Sequence, residues 1–283
     1  MESLLGVPKT YKLFIGGKFP RTESGRFYEM RNTEGEFVAN VSWASPKDVR
    51  NAVVAARGAQ SGWANTSAYL KGQILYRIAE VLDGRKSQFV EELCLQGAEE
   101  RVAKKEVDEA IDLLVHYAGW SDKYGALFSS VNPVASSHFN FSIPESVGVV
   151  GILAPECSGL LGLVSVLAPA IVGGNSVVLL ASEYYPLTAI SFSEVLATSD
   201  VPAGVVNVLT GKKEELHLPF ASHMDINALV LCGLDSAQLK AAEVESAENL
   251  KRVVKHPDEV VVESPYRILD LQETKTTWHP VGG

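Results

Sequence analysis

Three cysteines, Cys94, Cys157 and Cys232, are all that this 283-residue chain carries. They are odd in number and far apart, so no disulfide framework holds the fold, and a reducing, cytoplasmic setting is expected. Their spacing gives no zinc-ligand set, so no metal is expected. Basic charge is also short: 25 Lys and Arg stand against 34 Asp and Glu, a net charge of −9. A nucleic-acid binder needs a basic face that releases phosphate counterions, so nucleic acid is not an expected partner. No run approaches the about 18 uninterrupted apolar residues of a membrane-spanning helix. The opening Met1-Glu2-Ser3-Leu4-Leu5-Gly6-Val7-Pro8-Lys9 lacks the basic-then-apolar layout of a signal peptide. There is no internal repeat and no low-complexity tract.

What is present is a globular composition. Hydrophobic residues make up 46% of the chain and charged residues 21%, enough to bury a core without a metal or disulfide staple. The first 40 residues read as short strands. Tyr11-Lys12-Leu13-Phe14-Ile15 alternates and runs into Gly16-Gly17, a two-residue hairpin signal, and 37–41 is a second strand. Ser45-Pro46-Lys47-Asp48 then places an N-cap residue, a first-turn proline and a first-turn acid ahead of Val49, Ala52, Val53 and Ala56 at helical spacing. Further helices are predicted over 73–82, 86–94 and 103–124. From about residue 125 the pattern changes, and 128–143 reads as extended. Strands at 147–154, 176–180, 205–209, 228–232 and 250–254 then alternate with helices at 160–172, 186–197 and 236–245. Continuous apolar strands separated by helices predict a parallel sheet covered on both faces. The tail over 266–278 alternates and reads as a half-exposed strand.

Ligands on such a sheet bind beyond the carboxyl ends of the strands, near helix N-termini. The loops concerned are 154–159, 181–185, 210–215 and 233–235. They hold no G-x-G-x-x-G and no P-loop, and Gly211 alone reads first as a turn glycine.

Longer stretches carry a resemblance. Val147-Gly148-Val149-Val150-Gly151-Ile152, Gly173-Gly174-Asn175-Ser176-Val177-Val178-Leu179, Pro186-Leu187-Thr188-Ala189 and Pro202-Ala203-Gly204-Val205-Val206-Asn207-Val208-Leu209-Thr210-Gly211 resemble the cofactor domain of the aldehyde dehydrogenase superfamily. Tyr117-Ala118-Gly119-Trp120 and His223-Met224-Asp225-Ile226-Asn227 extend the match, which is collinear from about residue 11 to 254. The resemblance implies a Rossmann-like α/β fold: an open parallel sheet with N-terminal helices and a β oligomerisation flap. It assigns 1–124 and 147–262 to the cofactor-type domain, and 125–146 and 263–283 to the flap.

The departures bear on chemistry. The family's oxyanion asparagine falls on Cys157, and a thiol is a weak donor. Its ribose-binding lysine falls on Leu180, its second phosphate-facing glycine on Lys213, its helix-capping serine on Leu234 and its general-base glutamate on His256. Glu183, Gly211 and Gly233 survive as a vestigial NAD-type site. The catalytic domain, with its nucleophilic cysteine, should begin after about 256, yet only 257–283 remain, and 269–278 looks like the family's oligomerisation strand. The layout is similar to the non-catalytic C-terminal module of family-sixteen aldehyde dehydrogenases, in which case Met1 is expected to open an excised piece.

The other chemical residues have ordinary readings. Cys157 follows a strand and precedes a helix, which lowers a thiol pKa, but Glu156 beside it opposes the thiolate, so a small half-buried residue is expected. Cys94 and Cys232 are expected in the core, His223 as a loop or capping residue, His256 without a reaction to serve, and Lys212-Lys213 as a solvated charge pair. Phe128, Phe139 and Phe141, with Leu269, Leu271 and Trp278 of the tail, are the expected interface, because a flap exposing them alone leaves apolar surface in water. The expectation is a pseudoenzyme module with no bound cofactor. It would pair as a homodimer or with the dehydrogenase module that precedes it. The alternative is a dinucleotide-binding or sensing module without turnover.

Overall fold

The computed structural model describes residues 9–260 and 263–282, so the reading of Met1 to Pro8 lies outside the described residues. The N-terminal part holds β1 (Thr10–Tyr11), β2 (Phe27–Arg31), β3 (Phe37–Ser42), α1 (Pro46–Ala64), α2 (Ala68–Gly84), α3 (Lys86–Leu95), α4 (Glu100–Trp120) and α5 (Tyr124–Phe128). Then come β4 (Ser130–Asn132), β5 (His138–Ser146), β6 (Val149–Leu153), α6 (Leu161–Val172), β7 (Ser176–Leu180) and α7 (Pro186–Ala197). The remainder is β8 (Val206–Leu209), α8 (Lys213–Ser222), β9 (Ala228–Cys232), α9 (Ser236–Ala247), β10 (Arg252–His256), α10 (Tyr266–Leu269) and β11 (Gln272–Pro280).

The central sheet is parallel, in the order β10-β9-β6-β7-β8. Strands β6 to β9 are buried along their whole length because both faces are covered, whereas the edge strand β10, Arg252-Val253-Val254-Lys255-His256, is only partly buried. Val149, Leu153, Val178, Leu180, Leu229 and Leu231 pack with α1 and α8 through Val49, Val53, Leu216 and Phe220. Val150, Ile152, Val177, Leu179 and Val230 face the opposite layer of α2, α4, α6 and α7. Each such side chain, fully buried, contributes about 1.5–3 kcal/mol. The start of α1 follows its sequence signature: Asp48, buried, accepts from Ser45 N at 2.7 Å and from Thr22 Oγ1 at 2.6 Å.

The N-terminal strands differ from expectation. The alternating stretch before Gly16 gives only the two residues of β1, which pair parallel to β3, while Phe14 bridges to Val208 at the edge of the main sheet. The Gly16-Gly17 turn is present: both glycines have positive φ, and Ile15 and Lys18 exchange backbone hydrogen bonds of 2.9 and 3.1 Å. Strand β2 and helix α8 are additional elements. The strand expected at 250–254 begins at Arg252, because Leu250 sits in the left-handed region at φ 56° and is 90% exposed.

The flap is an antiparallel sheet in the order β11-β5-β4. Strand β11 pairs with β5 along its whole length, from Gln272↔Ser146 to Pro280↔His138. Three of the expected interface residues sit elsewhere. Phe128 closes α5 rather than lying in a strand, and its ring rests 5.5 Å from that of Tyr266. Leu269 closes α10, and Leu271 is buried in the main core. The tail turns helical because Ser264 Oγ accepts from Tyr266 N, and the resulting turn buries Ile268 and Leu271 together, three residues apart.

The flap joins the main domain through polar contacts. Asn175, fully buried, accepts from Gly148 N at 3.0 Å and donates to Ala170 O and Leu271 O, each at 3.1 Å. Arg252 donates to Asp270 O, Gln272 O and, at 2.9 Å, to Glu273 Oε1. Replacing Asn175 by alanine strands the buried Gly148 N–H, while Ala170 O and Leu271 O keep other donors, so Asn175→Ala should lower unfolding free energy by about 1–3 kcal/mol in urea titration. A loss under about 0.5 kcal/mol would show that the junction is not held there.

Candidate functional site

The loops at the carboxyl ends of β6 to β10 form a rim where the α/β architecture places ligand sites. In this rim several backbone donors are already occupied by carboxylates of the chain itself. Asp258, just beyond β10, accepts from the backbone N–H groups of Glu156 at 2.6 Å and Cys157 at 3.3 Å. Glu106 of α4 accepts from Leu160 N at 2.7 Å and Leu161 N at 3.2 Å, filling the start of α6, and from Ser158 Oγ at 2.8 Å. A carboxylate at such a helix start satisfies both the free N–H groups and the helix dipole.

Glu156 ties the neighbouring loops together. One of its oxygens accepts from Ser182 Oγ at 2.5 Å and Glu183 N at 2.8 Å, and the other lies 2.9 Å from Lys213 Nζ. Lys213 also donates to Cys232 O at 3.1 Å. Glu183 turns toward the same loop, accepting from Lys213 N at 2.7 Å and pairing with Lys212 Nζ at 2.8 Å. Four loops are thereby cross-linked by ion pairs and charge-assisted hydrogen bonds. Burial, followed by the nearby carboxylates of Glu183 and Glu156, holds the Tyr28 phenol well above its ordinary range.

This arrangement corrects several expectations. Lys212 and Lys213 are not a solvated pair: each has a carboxylate partner, and Lys213 is only 6% exposed. Cys157 is exposed rather than half-buried, and Cys94 is partly exposed rather than core, whereas Cys232 is buried. Burial first, and then Asp258, raise the Cys157 thiol, and burial pushes that of Cys232 up to about 12. His256 is lowered by burial and then by Arg267, whose guanidinium lies 3.3 Å from Nδ1. His223 caps the end of α8 and accepts from Asp225 N.

Of the three vestigial site residues, Glu183 belongs to the rim network. Gly211 is buried, with space for a β-carbon only 3.1 Å from Leu216. Gly233 has φ 64°, and Asp258 packs over it where a β-carbon would stand, at 3.2 Å. Leu180 is fully buried in the core, and Leu234 packs beside α9. Glu106, Glu156 and Asp258 escaped the sequence reading as rim ligands. The available signal was Glu156 and Lys213, opposite charges in two loops that a parallel sheet brings side by side. A cleft of about 800 Å³ opens between α3 and α4 beside Val90, Cys94 and Val107, and no rim loop lines it. Among the described residues no cluster of metal-ligating side chains occurs.

The two-faced parallel sheet with an antiparallel flap defines the class, a dinucleotide-type α/β domain carrying a β appendage. The aldehyde dehydrogenase family profile matches residues 19–256. The chain is 30% identical to cytosolic 10-formyltetrahydrofolate dehydrogenase of Pongo abelii over 249 residues, 86% of this chain and 28% of that one. It is 31% identical to retinal dehydrogenase 2 of Mus musculus, over 87% of this chain and 48% of that one. An aldehyde dehydrogenase from Bacillus cereus, solved as an NAD+ complex, superposes with a TM-score of 0.83 at 26% identity, covering 88% of this chain and 51% of that one. The chain belongs to the aldehyde dehydrogenase family, and it spans about half or less of the length of these relatives.

Two measurements check the rim. Removing the ammonium leaves the partly buried Glu156 carboxylate without its counter-charge, so Lys213→Met should cost about 3 kcal/mol in chemical denaturation, and Glu156→Gln added to it should recover part of that loss. A cost below about 1 kcal/mol would refute the buried pair. Cys157 should be alkylated more slowly at neutral pH than an unstructured cysteine, and Asp258→Asn should speed the reaction; a rate at or above that of the free thiol would contradict the raised pKa.

Proposed function

We propose that this chain is a non-catalytic aldehyde dehydrogenase-like module that serves assembly, corresponding to the C-terminal part of a two-module dehydrogenase. The observation that carries the proposal is internal to the chain. Residues 257–265 alone join β10 to α10, and β11 follows directly to complete the flap. The resemblance puts a catalytic domain with its nucleophile at that junction, and so short a link holds no domain. His256 at the base position lies against the Arg267 guanidinium, an arrangement that favours the neutral ring over proton uptake.

The same proposal assigns the rim no cofactor. A dinucleotide pyrophosphate needs free backbone donors at helix starts, and here Asp258, Glu106 and Glu183 take them. Glu183, the main support for a nucleotide-sensing alternative, faces Lys212 and the Lys213 amide. The flap supplies the assembly surface: Phe139 and Phe141 stack at 5.6 Å on one face, and Trp278 is 57% exposed on the other. Partners are a second copy or a dehydrogenase module of the same chain. Three free thiols suit a cytosolic setting, and no helix among the described residues is long and apolar enough to cross a membrane.

Sedimentation over a wide concentration range should show self-association or, with added dehydrogenase module, a mixed complex. Combining Phe139→Ser, Phe141→Ser and Trp278→Ser should weaken either by at least about tenfold. Unchanged association would remove the flap from the account. Aldehyde oxidation by the wild-type chain above a no-enzyme control would refute the non-catalytic reading.

A further inference from the structure

One face of β10 grips the tail at two points. Side chains alternate along a strand, so Arg252, Val254 and His256 share the face toward α6, while Lys255 pairs with Glu243 of α9 on the other. Arg252 holds the exit of the tail, donating to Asp270 O, Gln272 O and, at 2.9 Å, Glu273 Oε1. His256 meets its entry: Nη1 of Arg267, in α10, lies 3.3 Å from the imidazole Nδ1 and 3.4 Å from Nε2. A guanidinium stays charged throughout, and a neutral imidazole offers it one ring nitrogen as acceptor. An imidazolium offers none and sets a second positive charge against it.

We propose that His256 is an acid-sensitive latch: the neutral ring seats Arg267 and with it the α10 turn, and protonation of the ring releases the turn from β10 while Arg252 keeps its hold on β11. This goes beyond the assembly reading and does not depend on it.

The surroundings offer the imidazolium little compensation. Beside the ring is a cavity of about 20 Å³, bounded also by Ser165, Val166 and Pro169 of α6, with room for about one water. Helix α6 brings no charge to it. Strand β9 sets Cys232 beside His256, and burial pushes that thiol up to about 12, so it stays neutral. The carboxylates in range are Glu259, in the link after β10, and Asp270, whose Oδ2 already lies 3.5 Å from Arg267 Nη1. Burial first, and then Arg267, hold the ring below the ordinary histidine value, against the opposing pull of Asp270 and Glu259. A ring released into water takes its proton at the ordinary value, about 6.5. Docking is therefore complete above that value, weakens as pH falls through it, and levels off once the docked ring is itself charged.

The release is local. Ile268 and Leu271 still draw the turn into the core, so acid raises the frequency of a local opening. Arg252 bonds to backbone carbonyls, which acid leaves unchanged. A second histidine touches the same segment: His116 of α4 faces Glu263 at 3.3 Å, and its protonation strengthens that pair, so it acts in the opposite sense.

Amide hydrogen exchange of the full chain tests the latch. The Ile268, Asp270 and Leu271 amides close the turn onto Pro265 O, Tyr266 O and Ile268 O. With rates corrected for intrinsic exchange, their protection should fall at least about threefold between about pH 8 and about pH 5, while β7 and β11 keep theirs. His256→Gln, which cannot take the charge, should abolish the fall. In Arg267→Gln the magnetic-resonance titration of the His256 ring should move up toward the ordinary value. Protection that ignores pH, or a fall shared equally by β7 or β11, overturns the latch. So does an undiminished fall in His256→Gln, or a His256 titration that Arg267→Gln leaves in place.

Discussion

The partly buried carboxylate of Glu156 organises the rim of the sheet. It accepts from the Ser182 hydroxyl and the Glu183 amide and balances the charge of Lys213, which in turn reaches the carbonyl at the end of β9. A buried lysine without this partner would be costly, and so would a buried carboxylate. Asp258 and Glu106 complete the pattern by capping the amides that Glu156 does not reach. An end of the sheet built to receive an anion has been supplied with anions by the chain itself, which accounts for both its order and its proposed indifference to cofactor.

The tail depends on a second constraint, the short path from β10. Helix α10 lies against α6, where Ile268 and Leu271 enter the core, and Asn175 and Arg252 then fix the line on which β11 leaves. A strand anchored at one end and paired along one edge presents its other edge in a defined position. Binding in that geometry loses less conformational freedom than binding through a loose tail.

Much of the fold was legible in the sequence, for local reasons. The strands at 176–180 and 228–232 and the helix at 186–197 occupy the expected positions because apolar runs bounded by glycine or proline leave one solution. Helix α8 was hidden by Pro219 and by a face carrying only Leu216 and Phe220. The tail misled because alternation sets Ile268 and Leu271 on opposite faces of a strand, whereas the helical turn brings the two, three residues apart, into the core together. The rim was hardest to read. The departures at Cys157, Lys213 and His256 are visible residue by residue, but Lys213 reads as solvated in isolation because its partner, Glu156, comes from a loop 57 positions away. Burial of a charge is decided by such non-local pairs and leaves little local trace.

The central claim is that the rim's donors are committed to the chain's own carboxylates. Amide hydrogen exchange at Glu156, Cys157, Leu160 and Lys213, with and without millimolar NAD, tests it most directly. The account predicts slow exchange at these amides that the dinucleotide leaves unchanged. Fast exchange that slows when NAD is added would mean that the site is open and binds cofactor, and would contradict it.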